Sequence, residues 1–207
     1  MEDRKNIFMV VLFYGGLWGI LEATLGFALH FLPPGFAGMF MFPIGFYFMY
    51  NAYRTTDQHS TIFYTALVAA ALKLSNLILP FNTVMSAVNP AVSIILEGLV
   101  VLVGVRAIVM GKKLATPYLM SLSWTVLFPV FQALFLNQAN GLQQESLLTV
   151  IGFIVLTTIV SGSIITTYLK KQDIASLFTI KIKQRNLLAS LVVIVALIFE
   201  LGNSILF

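Results

Sequence analysis

Glu22, His30, Lys73 and Glu97 each lie inside a run of apolar residues. Carboxylates and an imidazole in such a place can exchange protons, hold a cation or accept hydrogen bonds from a ligand, and an ammonium can anchor an anionic group. Trp18, Glu22, Gly26 and His30 recur every four residues and so share one face of a helix. Asn89, Ser93 and Glu97 repeat the same spacing further on, and Lys73 and Asn76 are three apart. Glu22 and His30 are separated by two turns, about 12 Å of helical rise, too far to hold one metal ion without a kink, and Glu97 would have to complete such a site.

Several chemistries are excluded. There is no cysteine, so disulfides, thiolate metal sites and cysteine nucleophiles are ruled out. No HExxH, nucleophile elbow, P-loop or dinucleotide-binding glycine motif occurs, so the chain does not hydrolyse ATP by itself and no cofactor is expected.

The elements that carry these groups are apolar. The chain has 207 residues, of which 59% are hydrophobic and 10% charged, and its mean hydropathy is +0.95. A soluble domain has about 25% charged residues. An all-α, polytopic integral membrane bundle is expected, in one domain over 1–207. Hydropathy marks about seven transmembrane helices, at about 7–32, 37–53, 61–79, 87–110, 116–136, 147–169 and 187–207. The first six form a core over about 7–169, the basic segment 170–185 is a cytoplasmic loop or a short interfacial helix, and the last is an additional C-terminal helix. Pro33 and Pro34 end the first run, Pro43 breaks the short second one, Pro90 falls in the first turn of the fourth, and Pro129 kinks the fifth. The first run is too long for a signal peptide.

The net charge of +4 is read as a topology signal, not as a nucleic-acid footprint. Eleven of the twelve basic residues fall on one side of the seven-span map: Arg4, Lys5, Arg54, Arg106, Lys112, Lys113, Lys170, Lys171, Lys181, Lys183 and Arg185. The opposite loops, about 33–36, 80–86 and 137–146, carry none. This pattern places the N-terminus in the cytoplasm and the protein in the plasma membrane. Lys73 is the twelfth, inside the third helix.

With that orientation, Glu22, His30, Lys73, Asn76, Asn89, Ser93, Glu97, Gln132, Glu200 and Asn203 all lie between the midplane and the outer surface. A charge at membrane depth costs about 2.5–3.5 kcal/mol and persists where it is paired or faces a cavity. Two readings stand. Glu22, Glu97 and Lys73 form a structural ion pair that fixes helix packing, or they line an outward cavity in which Lys73 contacts an anionic ligand group. In the second reading the ligand-binding set is Glu22, His30, Lys73, Asn76, Asn89, Ser93 and Glu97. Asn89 is also a favoured helix N-cap. Gly15, Gly19 and Ala23 form a small-residue edge suited to close helix packing.

Small size, hydrophobicity, a cytoplasmic N-terminus, polar groups in the outer half and this edge on the first helix together resemble the substrate-binding S components of energy-coupling factor transporters. The resemblance covers about 7–169 and implies a micronutrient-binding subunit. Its edge Gly15, Gly19 and Ala23 would dock a transmembrane coupling subunit that works with two ATPases, and the three outer loops would cap the site. The glycine-based edge and the seventh helix depart from that pattern. The alternatives are a structural subunit of a larger membrane complex, and a membrane enzyme using Glu22, His30 and Glu97 as acid–base groups on a lipid. The resemblance favours a non-enzymatic role, with membrane lipids, a small-molecule ligand and the coupling machinery as partners.

Overall fold

The computed structural model describes residues 2–29, 36–78, 84–136, 146–172 and 185–206. Among these there is no strand, and seven helical rods follow the seven apolar runs. Helix α1, Glu2–Leu21, continues through a π turn, Glu22–Gly26, into a last turn, Phe27–Leu29. Helix α2 is Phe36–Thr56, and α3 is Ser60–Leu74 with a 3-10 extension, Ser75–Ile78. Helix α4 is Val84–Val109, and α5 is Thr116–Phe131 with a π turn, Gln132–Leu136. Helices α6, Leu147–Gln172, and α7, Arg185–Leu206, complete the chain.

Five stretches are long and apolar enough to cross a membrane: Asn6–Gly26, Ser60–Ile78, Val84–Val109, Thr116–Phe135 and Leu147–Gln172. The protein is therefore an all-helical bundle with the build of a multi-pass membrane protein. Its exterior supports this. Leu134, Phe135, Leu148 and Ile198 are among many large apolar side chains that point outward, while Trp18, Phe42, Phe46 and Met49 are sealed inside.

Neighbouring rods form a ring in which α1 packs on α3, α3 on α4, α4 on α5, α5 on α6, α6 on α2 and α2 on α1. Helix α2 also touches α3 and α4. Helix α7 lies along α1, with Ala189 and Val192 packed on Phe13. The α4–α5 connection is set by Gly111, whose φ of +92° reverses the chain. Its N–H and that of Lys112 close on the carbonyls of Ile108 and Ala107, as at a glycine-terminated helix end.

The prolines behave differently from expectation. Pro43 does not break α2, which runs through it. Proline removes the N–H that would bind the carbonyl four residues back, which is that of Met39. Ser161 of α6 donates its hydroxyl to that carbonyl at 2.7 Å. A hydroxyl from a neighbouring helix thus completes the ladder, the usual remedy where no water reaches the backbone. Helix α4 is present from Val84, so Pro90 lies in its second turn, not its first, and Asn89 is not its N-cap. Beyond Pro129, α5 continues and widens into the π turn. The outer loops, largely, and residues 173–184 of the basic segment lie outside the described residues.

Candidate functional site

Among the described residues, the polar groups expected to line one cavity make three sets of contacts, each joining different helices.

The first joins α3 to α7. Lys73 Nζ lies 2.7 Å from Glu200 Oε1, and both side chains are largely buried. Asn76, one turn beyond Lys73, donates its amide to the same oxygen. The pairing of Lys73 with Glu22 and Glu97 is corrected here, because its ion-pair partner is Glu200. Glu200 was legible as an acidic group at matching depth, but its nearness to the end of the sequence suggested contact with water. It is in fact 3% exposed, because α7 lies flat along α1 and touches the end of α3.

The second cluster sits between α1, α2 and α4. Glu97 is 3% exposed, and its Oε1 accepts a hydrogen bond from Ser93 at 3.3 Å, one turn earlier on α4. Glu22 opens the π turn of α1, is also buried, and is close enough to Glu97 for their charges to interact. Helix α2 approaches both helices through Gly45. A Cβ there would stand 2.5 Å from Trp18 Cζ2 and 2.9 Å from Glu97 Oε2. The indole edge of Trp18 and the Glu97 carboxylate therefore converge on one point of the α2 backbone. Trp18 Nε1 and Glu97 Oε2 are both buried without a hydrogen-bond partner among the described residues. Gly26, one π turn after Glu22, closes over that carboxylate. The four-residue face of α1 thus holds through Trp18, Glu22 and Gly26, and His30 lies outside the described residues. Gly45 was not singled out from the sequence. Its signal was a glycine within the aromatic run Phe42-Pro43-Ile44-Gly45-Phe46.

The third cluster joins α4 to α5, where Gln132 Nε2 donates to Asn89 Oδ1 at 2.8 Å. Ser93 and Glu97 belong to the second cluster and Asn89 to the third, although all three share the four-residue spacing of one helix.

The small-residue edge also needs correction. Gly15, Gly19 and Ala23 are buried within the chain and do not form an outer docking surface. A Cβ at Gly15 would lie 2.7 Å from Val68 Cβ and 2.9 Å from the Thr65 carbonyl oxygen, and one at Gly19 would lie 2.6 Å from Leu72 Cδ1. The edge lets α3 approach α1, and Ala196 of α7 lies near Gly19 as well.

Among the described residues no group of three or more His, Asp or Glu side chains is arranged to hold a metal. A groove of about 570 Å3 runs along α1, α2 and α6, apart from the three polar clusters, and its lining is apolar except for two tyrosines. Comparison with protein-family models, curated proteins and solved structures finds no match to this chain.

Proposed function

We propose that the protein is a membrane-embedded solute-binding subunit, and that its ligand is held at Glu22 and Glu97. The observation that carries this reading is Glu97 Oε2, a buried carboxylate oxygen with no hydrogen-bond partner among the described residues, set against a second carboxylate. A buried acceptor left unsatisfied costs about 1–3 kcal/mol, and more when charged. Two neighbouring carboxylates with little solvent contact invite a cation or a hydrogen-bond donor. The π turn that begins at Glu22 supports the same reading, since such turns concentrate at functional sites.

The ligand in this reading is cationic or rich in donors. The anionic ligand expected of Lys73 loses its anchor, because Glu200 already neutralises that ammonium. The wider setting is unchanged: seven spans, a cytoplasmic N-terminus, the plasma membrane and uptake of a micronutrient, in the manner of an energy-coupling factor S component. Transport then requires a coupling subunit and ATPases, since the chain has no nucleotide motif. That subunit docks on a surface other than Gly15, Gly19 and Ala23.

Thermal unfolding of the detergent-purified protein against a panel of small amines and small carboxylates tests the proposal. At least one amine should stabilise it while the carboxylates do not, and Glu97→Gln should weaken that amine about tenfold or more, as loss of a charge-assisted hydrogen bond predicts. A folded Glu97→Gln protein that binds the amine like the parent removes the site.

One observation favours a second reading, a structural subunit whose charges lock its helices. The Lys73, Asn76 and Glu200 cluster is already internally paired and does that work between α3 and α7.

A further inference from the structure

The apolar groove along α1, α2 and α6 ends at a polar cluster shared by α2 and α6. On α2, Phe40, Ile44 and Tyr47 line it at helical spacing, and the same face carries on to Asn51 and Arg54. On α6, Ile164 and Tyr168 line it, and Gln172 follows one turn later. The two walls are tied together where they become polar. Asn51 Nδ2 donates to the Tyr168 hydroxyl at 2.7 Å, Gln172 bonds to the same hydroxyl, and Arg54 Nη1 donates to Gln172 Oε1 at 2.7 Å. Arg54 is exposed, and Lys170 and Lys171 are exposed on the last turn of α6. Among the described residues no carboxylate pairs with Arg54, and its single bond to Gln172 leaves most of its five N–H donors available.

From Phe40 to Arg54 the α2 face is about 21 Å long at about 1.5 Å per residue. One leaflet of hydrocarbon is about 15 Å deep, half of a core of about 30 Å, with its headgroups beyond. An apolar trough of that length, ending in tyrosines and then in cationic groups that no described carboxylate pairs, has the shape and charge of an amphiphile with an acidic head. On the span map read from the sequence, the cationic end is also the side assigned eleven of the twelve basic residues.

We propose that this groove seats one anionic phospholipid of the cytoplasmic leaflet. An acyl chain lies against Ile44, Tyr47 and Ile164, and the phosphate is held by Arg54 with Lys170 and Lys171. The site is separate from Glu22 and Glu97 and does not depend on the solute reading. It depends on the chain spanning a membrane with its basic side in the cytoplasm.

Native mass spectrometry of the full chain tests it, with phosphatidylglycerol and phosphatidylcholine of identical chains added to the detergent-purified protein. The expected result is one tightly retained phosphatidylglycerol, bound about fivefold or more tighter than phosphatidylcholine, as one basic contact at a lipid surface predicts. Arg54→Gln should reduce the preference between headgroups while leaving chain binding in place. Ile164→Trp, on an exposed position that narrows the trough, should reduce retention of both lipids. Inorganic phosphate should not displace the lipid. Equal affinity for the two lipids, an unchanged preference in Arg54→Gln, unchanged retention in Ile164→Trp, or displacement by inorganic phosphate would each overturn the proposal. The first and third outcomes would instead fit a groove that receives a partner's helix.

Discussion

Lys73 Nζ and Glu200 Oε1 stand 2.7 Å apart and join the third helix to the last, across 127 positions of sequence (200 − 73 = 127). The pair holds α7 against a bundle whose other contacts with it are mainly those of α1. An ion pair in a dry setting gains strength from the low dielectric, and each partner becomes costly when the other is removed.

Lys73→Met should therefore destabilise the protein by about 3–5 kcal/mol, the usual consequence of stranding a buried charge. Glu200→Leu combined with Lys73→Met should recover most of that loss, because an apolar pair of similar volume suits the site. Thermal unfolding of the detergent-purified proteins measures both. A double variant as unstable as the single would show that Lys73 acts through some other group.

Ser161 and Pro43 should be coupled. The hydroxyl of Ser161 satisfies the Met39 carbonyl that Pro43 leaves open. Ser161→Ala should cost about 1–3 kcal/mol in the parent, the penalty of an unsatisfied buried carbonyl. In a Pro43→Ala background the restored N–H can serve Met39, and the cost of Ser161→Ala should largely disappear. A double-mutant cycle on unfolding free energy reads this coupling, and simple additivity would contradict the assignment.

The glycines along the chain should separate by what faces them. Gly15→Ala should cost about 1–3 kcal/mol by overpacking, since its Cβ would meet Val68 Cβ and a backbone oxygen. Gly19→Ala should cost less, because the nearest atom is the mobile end of Leu72. Gly152→Ala in α6 meets nothing within 4 Å and should stabilise by about 0.5–1 kcal/mol from helix propensity alone. Unfolding midpoints in that order support an internal α1–α3 seam. Equal effects at Gly15 and Gly152 would not.

What was legible in the sequence was local. Seven rods follow from apolar runs closed by prolines and basic clusters, and the buried face of Trp18, Glu22 and Gly26 follows from spacing alone. What was not legible depends on which helix lies against which. Pro43 reads as a break until Ser161 is known to face it, and their 118 positions of separation (161 − 43 = 118) carry no local signal. Lys73 had three acidic candidates at similar depth, and only the packing of α7 selects Glu200. The glycine edge announces close approach without saying whether the neighbour belongs to the same chain.

Gly45 should be the most sensitive single position of the candidate solute site. Its missing side chain is what allows Trp18 Cζ2 and Glu97 Oε2 to converge there. A methyl group at 2.5 Å from a ring carbon and 2.9 Å from a carboxylate oxygen has to displace one of them. Trp18 is fully enclosed and cannot swing away cheaply, so Glu97 is the group expected to move. Gly45→Ala should thus weaken binding of the stabilising amine about tenfold or more, matching loss of the Glu97 interaction. Its effect on stability without ligand should stay within about 1–3 kcal/mol, an ordinary overpacking cost. Gly45→Ala and Glu97→Gln should also be non-additive for binding, since both act on one carboxylate. Measuring amine-dependent thermal stabilisation in the two single variants and the double variant decides it. Independent, additive losses would place the ligand somewhere other than between Trp18, Gly45 and Glu97.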